Sequence, residues 1–288
     1  MATAKDFHNG VKPNWCPGCG DYSVQAAIER AAANLALEPH NLAVVSGIGC
    51  SSRISGYLYA YGFHSVHGRA LPVAQGVKLA NPKLTVLAAG GDGDGCAIGL
   101  NHTLHAIRRN IDITYVMMDN HIYGLTKGQA SPRSDIGFQT KTTPSGAIEA
   151  PLSILEVALG AGATFVAQGF STDLASVTAL IEQGIRHPGF ALINIFSPCV
   201  TFNKVNTYEW FRERLTKLND LPYYDPADRS AAWRAVSEYD GLITGLLYQN
   251  TDRPAYQELL PQKDAGPLAD KAGPLPASVF ENLLADFK

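Results

Sequence analysis

The sequence predicts an α/β protein whose mostly parallel sheet is covered by helices on both faces. Two observations lead to this prediction. Strand-like apolar runs recur along the 288 residues, and helix-like stretches lie between several of them. The runs are apolar throughout, which is typical of strands buried on both faces, and strands that alternate with helices form parallel sheets. A chain of this length can also bury a sizeable core.

The predicted elements follow in chain order. Strands are expected at residues 41–48 (NLAVVSGI), 84–89 (LTVLAA), 111–119 (IDITYVMMD), 164–168 (TFVAQ) and 190–197 (FALINIFS). Helices are expected at residues 22–37, 98–109, 154–161 and 173–186, where apolar residues recur at helical spacing. Parallel strands joined by such helices place their carboxyl ends at one edge of the sheet.

The pattern changes after about residue 200. Residues 206–220 (NTYEWFRERLTKLND) indicate an amphipathic helix, and prolines interrupt the sequence beyond it. We therefore predict an α/β domain at residues 1–205 and a C-terminal helical and extended tail at 206–288. The tail lacks a core of its own, so we expect it to pack on the main domain or on a partner subunit, with a partly mobile tail as the alternative.

Composition and charge exclude several classes of protein. The chain has 26 acidic and 23 basic residues without long runs of either sign, which argues against a nucleic-acid partner. It has no 18-residue apolar span, and its first residues lack the apolar core of a signal peptide, so we predict a cytoplasmic protein with no membrane partner. Its five cysteines fit a reducing compartment, where thiolates serve metals or catalysis.

The stretch GGDGDG, residues 90–95, follows a predicted strand. Ligands of open parallel sheets bind beyond the carboxyl ends of the strands, where helix N-termini attract anions. The glycines permit close backbone approach, Asp92 or Asp94 offers an oxygen ligand for magnesium, and the following helix offers its N-terminus to a phosphate. Taken alone, this pattern fits a turn with capping aspartates equally well.

The next strand favours a ligand site. Asn120 directly follows it, 28 residues after Asp92, and GDG followed at this distance by Asn is the signature of thiamine diphosphate binding. Magnesium prefers near-octahedral oxygen ligands and bridges two phosphates, so Asp92, the Asn120 amide oxygen and one backbone carbonyl, assigned to Ile122, can bind it. A nicotinamide site is disfavoured because the glycines lack the G-x-G-x-x-G register.

Four cysteines suggest a second metal site. Cys16 and Cys19 form a C-x-x-C pair, whereas Cys50 and Cys199 each follow a predicted strand at the edge that carries the predicted magnesium ligands. Four thiolates fit zinc or a 4Fe-4S cluster equally well by ligand count. Zinc ribbons usually have two C-x-x-C motifs, whereas this chain has one such motif and two isolated cysteines, which argues against a zinc ribbon. Cys96 lies within the glycine-rich stretch and is interpreted as a small packing residue.

Thiamine diphosphate beside an electron acceptor indicates oxidative decarboxylation of a 2-oxo acid. At this point an ordered series of motifs becomes informative: WCPGCGD, GIGCSSR, HSVHGRALPVAQGVKLANP, GGDGDGCAIG, DNHIYGLTKGQASP and SPC. The series covers about residues 12–205 and resembles the β subunit of the 2-oxoacid:ferredoxin oxidoreductases. The resemblance implies a fold that binds the diphosphate half of thiamine diphosphate, so that residues 1–205 would bind both this cofactor and an iron-sulfur cluster.

The resemblance also implies residue roles. Cys16, Cys19, Cys50 and Cys199 would bind a 4Fe-4S cluster, and Asp92, Asn120 and the Ile122 carbonyl would bind Mg²⁺. The diphosphate and ring system would contact Ile48, Gly49, Cys50, Ser51, His67, Gly68, Arg69, Gly91, Gly93, Asp94, Gly124, Leu125 and Thr126. His67 and Arg69 are catalytic candidates, since they offer a proton donor and an anion partner. Lys127 is a third, near the path of coenzyme A or the substrate carboxylate.

Thiamine enzymes use a glutamate from a pyrimidine-binding domain, which the resemblance assigns to a separate α subunit, in αβ pairs joined to α2β2. The expected reaction converts 2-oxoglutarate, coenzyme A and oxidised ferredoxin reversibly into succinyl-CoA, CO2 and reduced ferredoxin. Pyruvate or a broad range of 2-oxo acids is the alternative substrate. A non-redox thiamine lyase and a zinc-stabilised scaffold subunit are the remaining hypotheses.

Overall fold

The computed structural model describes residues 2–264, 266–271, 273 and 276–285. Eight of its strands form the main sheet: β1 (Leu42–Ser46), β2 (Tyr61–His64), β3 (Thr85–Gly91), β4 (Ile113–Asp119), β7 (Phe165–Phe170), β8 (Phe190–Phe196), β9 (Thr216–Lys217) and β10 (Ile243–Gln249). Their order in the sheet is β2-β1-β3-β4-β8-β7-β10-β9. A separate antiparallel pair consists of β5 (Ile122–Tyr123) and β6 (Gln129–Ala130).

The helices are α1 (Asp21–Asn34), α2 (Ala70–Ala80), α3 (Leu100–Arg109), α4 (Ile154–Gly160), α5 (Leu174–Arg186), α6 (Tyr208–Arg214), α7 (Arg229–Glu238) and α8 (Ala277–Ala285). Side chains of α1 and α5 pack into one hydrophobic core on the sheet, and side chains of α2, α3, α4 and α7 pack into another. Both faces of the sheet are therefore covered, and the predicted α/β fold class is confirmed.

Pairing within the sheet is parallel except between β10 and β7. The five predicted strands form its centre, and β4 and β8 are buried along their whole length. Since β2 and β3 flank β1, the chain leaves β1 and β3 in opposite directions. Such a switch in strand order opens a crevice at the carboxyl ends of the two strands, where ligands of this class of fold bind.

The predicted tail differs in detail from the expectation. The helix predicted at 206–220 is shorter, because α6 ends at Arg214 and a short strand and a turn follow it. The strand β10 was not predicted, yet it pairs with β7, so this part of the tail packs on the main domain. We keep the division at residue 205 as a proposal, and residues 265, 272, 274–275 and 286–288 of the tail lie outside the described ranges. Among the helices that the structure describes, none combines the length and the apolar character needed to cross a bilayer.

Candidate active site

A cavity opens at the carboxyl ends of β1 and β3, in the crevice formed by the switch in strand order. Its lining comes from the loops after β1, β3 and β4 and from the loop before α2: Ile48, Gly49, Cys50, Ser51, His67, Gly91, Asp92, Gly93, Asp94, Asn120, Ile122, Tyr123, Gly124, Leu125 and Thr126. Apart from Tyr123, all of these residues were predicted from the sequence as cofactor contacts. The structure thus brings together residues that are far apart in the chain, as a shared ligand would require.

The predicted magnesium ligands Asp92 and Asn120 lie side by side in this cavity. The Asp92 side chain is buried, and its Oδ1 accepts a hydrogen bond from the Asn120 backbone N–H at 3.5 Å. Asn120 Oδ1 accepts from the Ile122 N–H at 3.1 Å, which folds the loop back toward Asp92. Burial, followed by the negative charge of Asp119, raises the pKa of Asp92 to about 7. A buried carboxylate of this kind fits a bound cation, whose charge would favour its ionised form.

The second aspartate of the glycine-rich stretch joins two loops. Asp94 Oδ1 accepts hydrogen bonds from the backbone N–H groups of Ile48 at 3.0 Å and Gly68 at 2.7 Å, and it lies 2.8 Å from His67 Nδ1. A β-carbon on Gly47 would lie 1.9 Å from Asp94 Oδ2, so only glycine allows this approach. Of the two aspartates offered as magnesium ligands, Asp94 is already occupied by these donors, which favours Asp92.

His67, Arg69 and Lys127 do not occupy equivalent positions. His67 lines the cavity, and because Asp94 occupies Nδ1, a ligand would have to use Nε2. The Arg69 guanidinium instead donates to the carbonyls of Gly68 and Ile98, both at 3.2 Å, and so joins two loops. Lys127 is exposed with a positive φ of 73°, at a turn closed by its N–H to the Gly124 carbonyl. Arg69 and Lys127 are not among the lining residues.

The cysteines meet the cavity at Gly124. A β-carbon there would lie 3.6 Å from the Sγ atoms of both Cys50 and Cys199, so these thiols border the wall of the cavity. Burial, followed by the nearby charges of Asp21 and Cys199, raises the pKa of Cys50 to about 12. Burial likewise raises the pKa of Cys19. Thiols in such surroundings stay protonated until a metal binds them.

Two hydrogen bonds connect the cysteine-bearing segments. Trp15 Nε1, next to Cys16, donates to the Cys50 carbonyl at 2.6 Å. Ser197 Oγ, two residues before Cys199, donates to Asp21 Oδ1 at 2.6 Å. The C-x-x-C pair is thereby held beside the other two cysteines. The fifth cysteine, Cys96, is buried elsewhere, with its Sγ 3.6 Å from Met117 Sδ.

Two residues that support the site were not predicted from the sequence. Ser131 Oγ donates to Asp92 Oδ2 at 2.5 Å, and Tyr123 Oη donates to the Gly93 carbonyl at 3.0 Å. Neither residue type indicates a ligand site by itself. Tyr123 does lie within DNHIYGLTKGQASP, and its position directly after the proposed Ile122 ligand was the available signal.

Comparisons with known proteins agree with this geometry. Residues 47–195 match the family model described as thiamine pyrophosphate enzyme, C-terminal TPP binding domain, and residues 199–264 match the model for the C-terminal part of the pyruvate ferredoxin oxidoreductase beta subunit. The beta subunit of 2-oxoacid:ferredoxin oxidoreductase 2 from Aeropyrum pernix is 40% identical over 265 residues, which cover 88% of this chain and 86% of that protein. The 2-oxoglutarate oxidoreductase subunit KorB from Mycobacterium tuberculosis is 46% identical over 199 residues, which cover 69% of this chain and 53% of that protein.

A solved structure is also similar. The 2-oxoglutarate:ferredoxin oxidoreductase from Magnetococcus marinus, with 2-oxoglutarate, coenzyme A and succinyl-CoA bound, matches with a TM-score of 0.86 at 39% identity, and the match covers 95% of this chain and 97% of that chain. The resemblance found in the motifs is therefore confirmed. The chain belongs to the β subunits of the 2-oxoacid:ferredoxin oxidoreductases, a family of thiamine diphosphate-dependent enzymes.

Proposed function

We propose that this β subunit, with an α subunit, oxidatively decarboxylates 2-oxoglutarate in the presence of coenzyme A and passes the electrons through a 4Fe-4S cluster to ferredoxin. One observation carries the proposal. The cavity that holds Asp92 and Asn120 shares its wall, at Gly124, with the sulfurs of Cys50 and Cys199. A cofactor that releases electrons and a cluster that accepts them would therefore be neighbours.

The Mg²⁺ ion and the diphosphate group of the cofactor would bind at the carboxyl ends of the strands. Asp92 and Asn120 would bind Mg²⁺ through side-chain oxygens, with the Ile122 carbonyl as the proposed third ligand. Thiamine diphosphate, when bound, supplies a carbon nucleophile for the 2-oxo group and accepts the electron pair left by decarboxylation. The protein's own part is to hold the diphosphate and to fix His67 through its hydrogen bond to Asp94.

The cysteines support a cluster over a zinc ion. Cys16, Cys19, Cys50 and Cys199 lie on three segments, which the hydrogen bonds of Trp15 and Ser197 connect. They do not form the two C-x-x-C pairs that are usual in a zinc ribbon. Four thiolates are the ligand set of a 4Fe-4S cluster.

The choice of 2-oxoglutarate rests on similar proteins. KorB of Mycobacterium tuberculosis is named for 2-oxoglutarate, and the enzyme from Magnetococcus marinus contains 2-oxoglutarate, coenzyme A and succinyl-CoA. The relatives from Aeropyrum pernix are named more broadly for 2-oxo acids, so pyruvate is the comparison substrate in any test.

The deciding experiment is anaerobic co-purification with the α subunit, followed by analysis of iron, zinc and thiamine. We expect about four irons per chain, bound thiamine, and bleaching of the cluster absorption by 2-oxoglutarate with coenzyme A to a greater extent than by pyruvate. Thiamine without iron would indicate a non-redox lyase, and zinc without thiamine would indicate a scaffold subunit. Full activity of the β subunit alone would contradict the requirement for an α subunit.

A further inference from the structure

A buried ion pair that has no part in the proposed chemistry lies behind the cavity. Arg133 Nε donates to Asp119 Oδ2 at 2.9 Å, and its Nη1 donates to the Leu152 carbonyl at 2.7 Å. The Asp119 side chain is fully buried and that of Arg133 is 13% exposed. Desolvation of two charges often cancels their attraction, so a buried ion pair is weak evidence for a role in stability. Its position suggests a different role.

The pair closes the loop that carries the proposed magnesium ligands. We call residues 120–134 the cofactor loop; it contains Asn120, Ile122 and Gly124. Asp119 is the last residue of β4, directly before this loop, and Arg133 lies at the loop's far end. The loop's own β5–β6 pair is only two residues long on each side, so the shape of the loop depends on contacts between its ends, namely this ion pair and the hydrogen bond from Ser134 Oγ to the His121 carbonyl.

Asp119 is a fixed anchor for this connection. Its Oδ2 also accepts from Asn194 Nδ2 at 3.2 Å, and Asn194 in turn donates to Gln168 Oε1 at 2.8 Å. Gln168 Nε2 donates to the carbonyls of Gly241 and Ile243 at 2.7 and 2.6 Å. This series of hydrogen bonds crosses β4, β8, β7 and the start of β10. Arg133 therefore ties the cofactor loop to a rigid part of the sheet.

The turn that carries Arg133 also contacts a proposed magnesium ligand. Ser131 Oγ donates to Asp92 Oδ2 at 2.5 Å, while Ser134 Oγ donates to the His121 carbonyl at 2.6 Å and accepts from the Ser131 N–H at 2.9 Å. A shift of this turn would move the hydroxyl that orients Asp92 and the backbone next to Asn120. Both proposed side-chain ligands therefore depend on the same turn.

We propose that Arg133 is a positioning residue, whose ion pair with Asp119 holds the cofactor loop in the shape that binds magnesium and the diphosphate. The proposal rests on the proposed function, because it needs Asp92, Asn120 and Ile122 to bind that group. Partners that orient metal ligands in this way, without touching the metal, typically contribute about 10- to 100-fold to metal affinity.

The chain offers a control in another ion pair, which joins α2 to the residue before β4. Lys78 Nζ lies 2.6 Å from Asp112 Oδ2, and the two side chains are 7% and 31% exposed. Asp112 directly precedes β4, at the end opposite to Asp119. Loss of this pair should destabilise the fold in a similar way but leave the cofactor loop in place.

The experiment compares Arg133→Met, Arg133→Lys and Lys78→Met in the complex with the α subunit. Thiamine diphosphate is titrated at several Mg²⁺ concentrations by calorimetry, and thermal unfolding is followed on the same samples. We expect the Kd of Arg133→Met for thiamine diphosphate to rise by about 10- to 100-fold and its KM for the cofactor to rise more than kcat falls. Arg133→Lys should lie between wild type and Arg133→Met, whereas Lys78→Met should melt earlier and keep the wild-type Kd.

Wild-type affinity in Arg133→Met, or an equal loss of affinity in Lys78→Met, would overturn the proposal. If Arg133→Met does not fold, Arg133→Lys decides by the same criterion, since it retains the charge but not the paired geometry of the guanidinium. Failure of the wild-type complex to bind thiamine diphosphate with Mg²⁺ would instead overturn the proposed function itself, so the two failures are distinguishable.

Discussion

Cys50 and Cys96 are two thiols with different neighbours, and they separate cluster binding from packing. Cys50 lies at the cavity wall near Cys199, whereas Cys96 is 4% exposed and contacts Met117 in the core. We predict that Cys50→Ser, purified anaerobically with the α subunit, loses most of its iron but retains thiamine. Cys96→Ala should keep wild-type iron and lose at most about 1 kcal/mol of unfolding free energy. Iron and thiamine analysis of both variants tests this, and iron loss in Cys96→Ala alone would reverse the assignment.

At the scale of single residues, the sequence indicated the proposed ligands but not the residues that support them. The C-x-x-C spacing and the distance from Asp92 to Asn120 are local signals tied to metal chemistry, and they could be read without a fold. Ser131 and Arg133 act through tertiary hydrogen bonds, so no spacing indicates them. The role of Arg69 as an anion partner stays a prediction, and the structure adds that its guanidinium donates to the carbonyls of Gly68 and Ile98.

Among the structural elements, the turn after β3 and the strand β5 fit each other closely enough for a specific prediction. A β-carbon on Gly93 would lie 2.1 Å from a ring carbon of Tyr123, whose hydroxyl donates to the Gly93 carbonyl. Gly93→Ala should therefore displace Tyr123 and the adjoining Ile122, and weaken binding of thiamine diphosphate by about 10-fold. The same substitution made in a Tyr123→Ala background should cost less, because the clash is gone.

Wild type, Gly93→Ala, Tyr123→Ala and the double variant form a double-mutant cycle. Calorimetric titration of thiamine diphosphate into each of these four proteins, in complex with the α subunit, gives the coupling energy between residues 93 and 123. Gly76→Ala is the control, because Gly76 lies in α2 with open space around its α-carbon, and alanine is the better helix former. Equal losses of affinity for Gly93→Ala in both backgrounds would show that the Tyr123 ring is not what requires glycine.

The elements that were not predicted have weak local patterns. The edge strand β2, YGFH, is exposed at all four positions and so lacks the apolar pattern of a buried strand. The helix α2 contains Pro72 near its start and Gly76 within it, which are poor helix signals. In β10, Gly245 has a φ of 130° and the pairing with β7 is irregular between Leu246 and Tyr248. The central strands were predicted because continuous burial gives them long apolar runs.

On the scale of the whole molecule, one buried histidine links distant segments and should make stability depend on pH. His187 Nε2 lies 2.8 Å from Thr164 Oγ1, which donates to Asn110 Oδ1 at 2.6 Å. Asn110 Nδ2 donates to the carbonyls of Arg253 and Pro254, so the network joins the ends of α3 and α5, the start of β7 and the segment after β10. The His187 ring is buried, and in the part of the chain that the structure describes its Nδ1 has no hydrogen-bond partner.

Burial lowers the pKa of His187 from its ordinary value of 6.5 to about 4. Between these values the unfolded chain binds a proton at this site that the folded chain does not, so stability falls as the pH falls from 6.5 to 4. This group alone should contribute a slope of at most about 1.4 kcal/mol per pH unit. Urea unfolding at several pH values gives the unfolding free energy as a function of pH. Its slope should be shallower for His187→Gln than for wild type between pH 4 and 6.5, and the two slopes should be equal above about pH 7. Parallel curves throughout would mean that His187 binds a proton equally well in the folded protein, and that the network tolerates its charge.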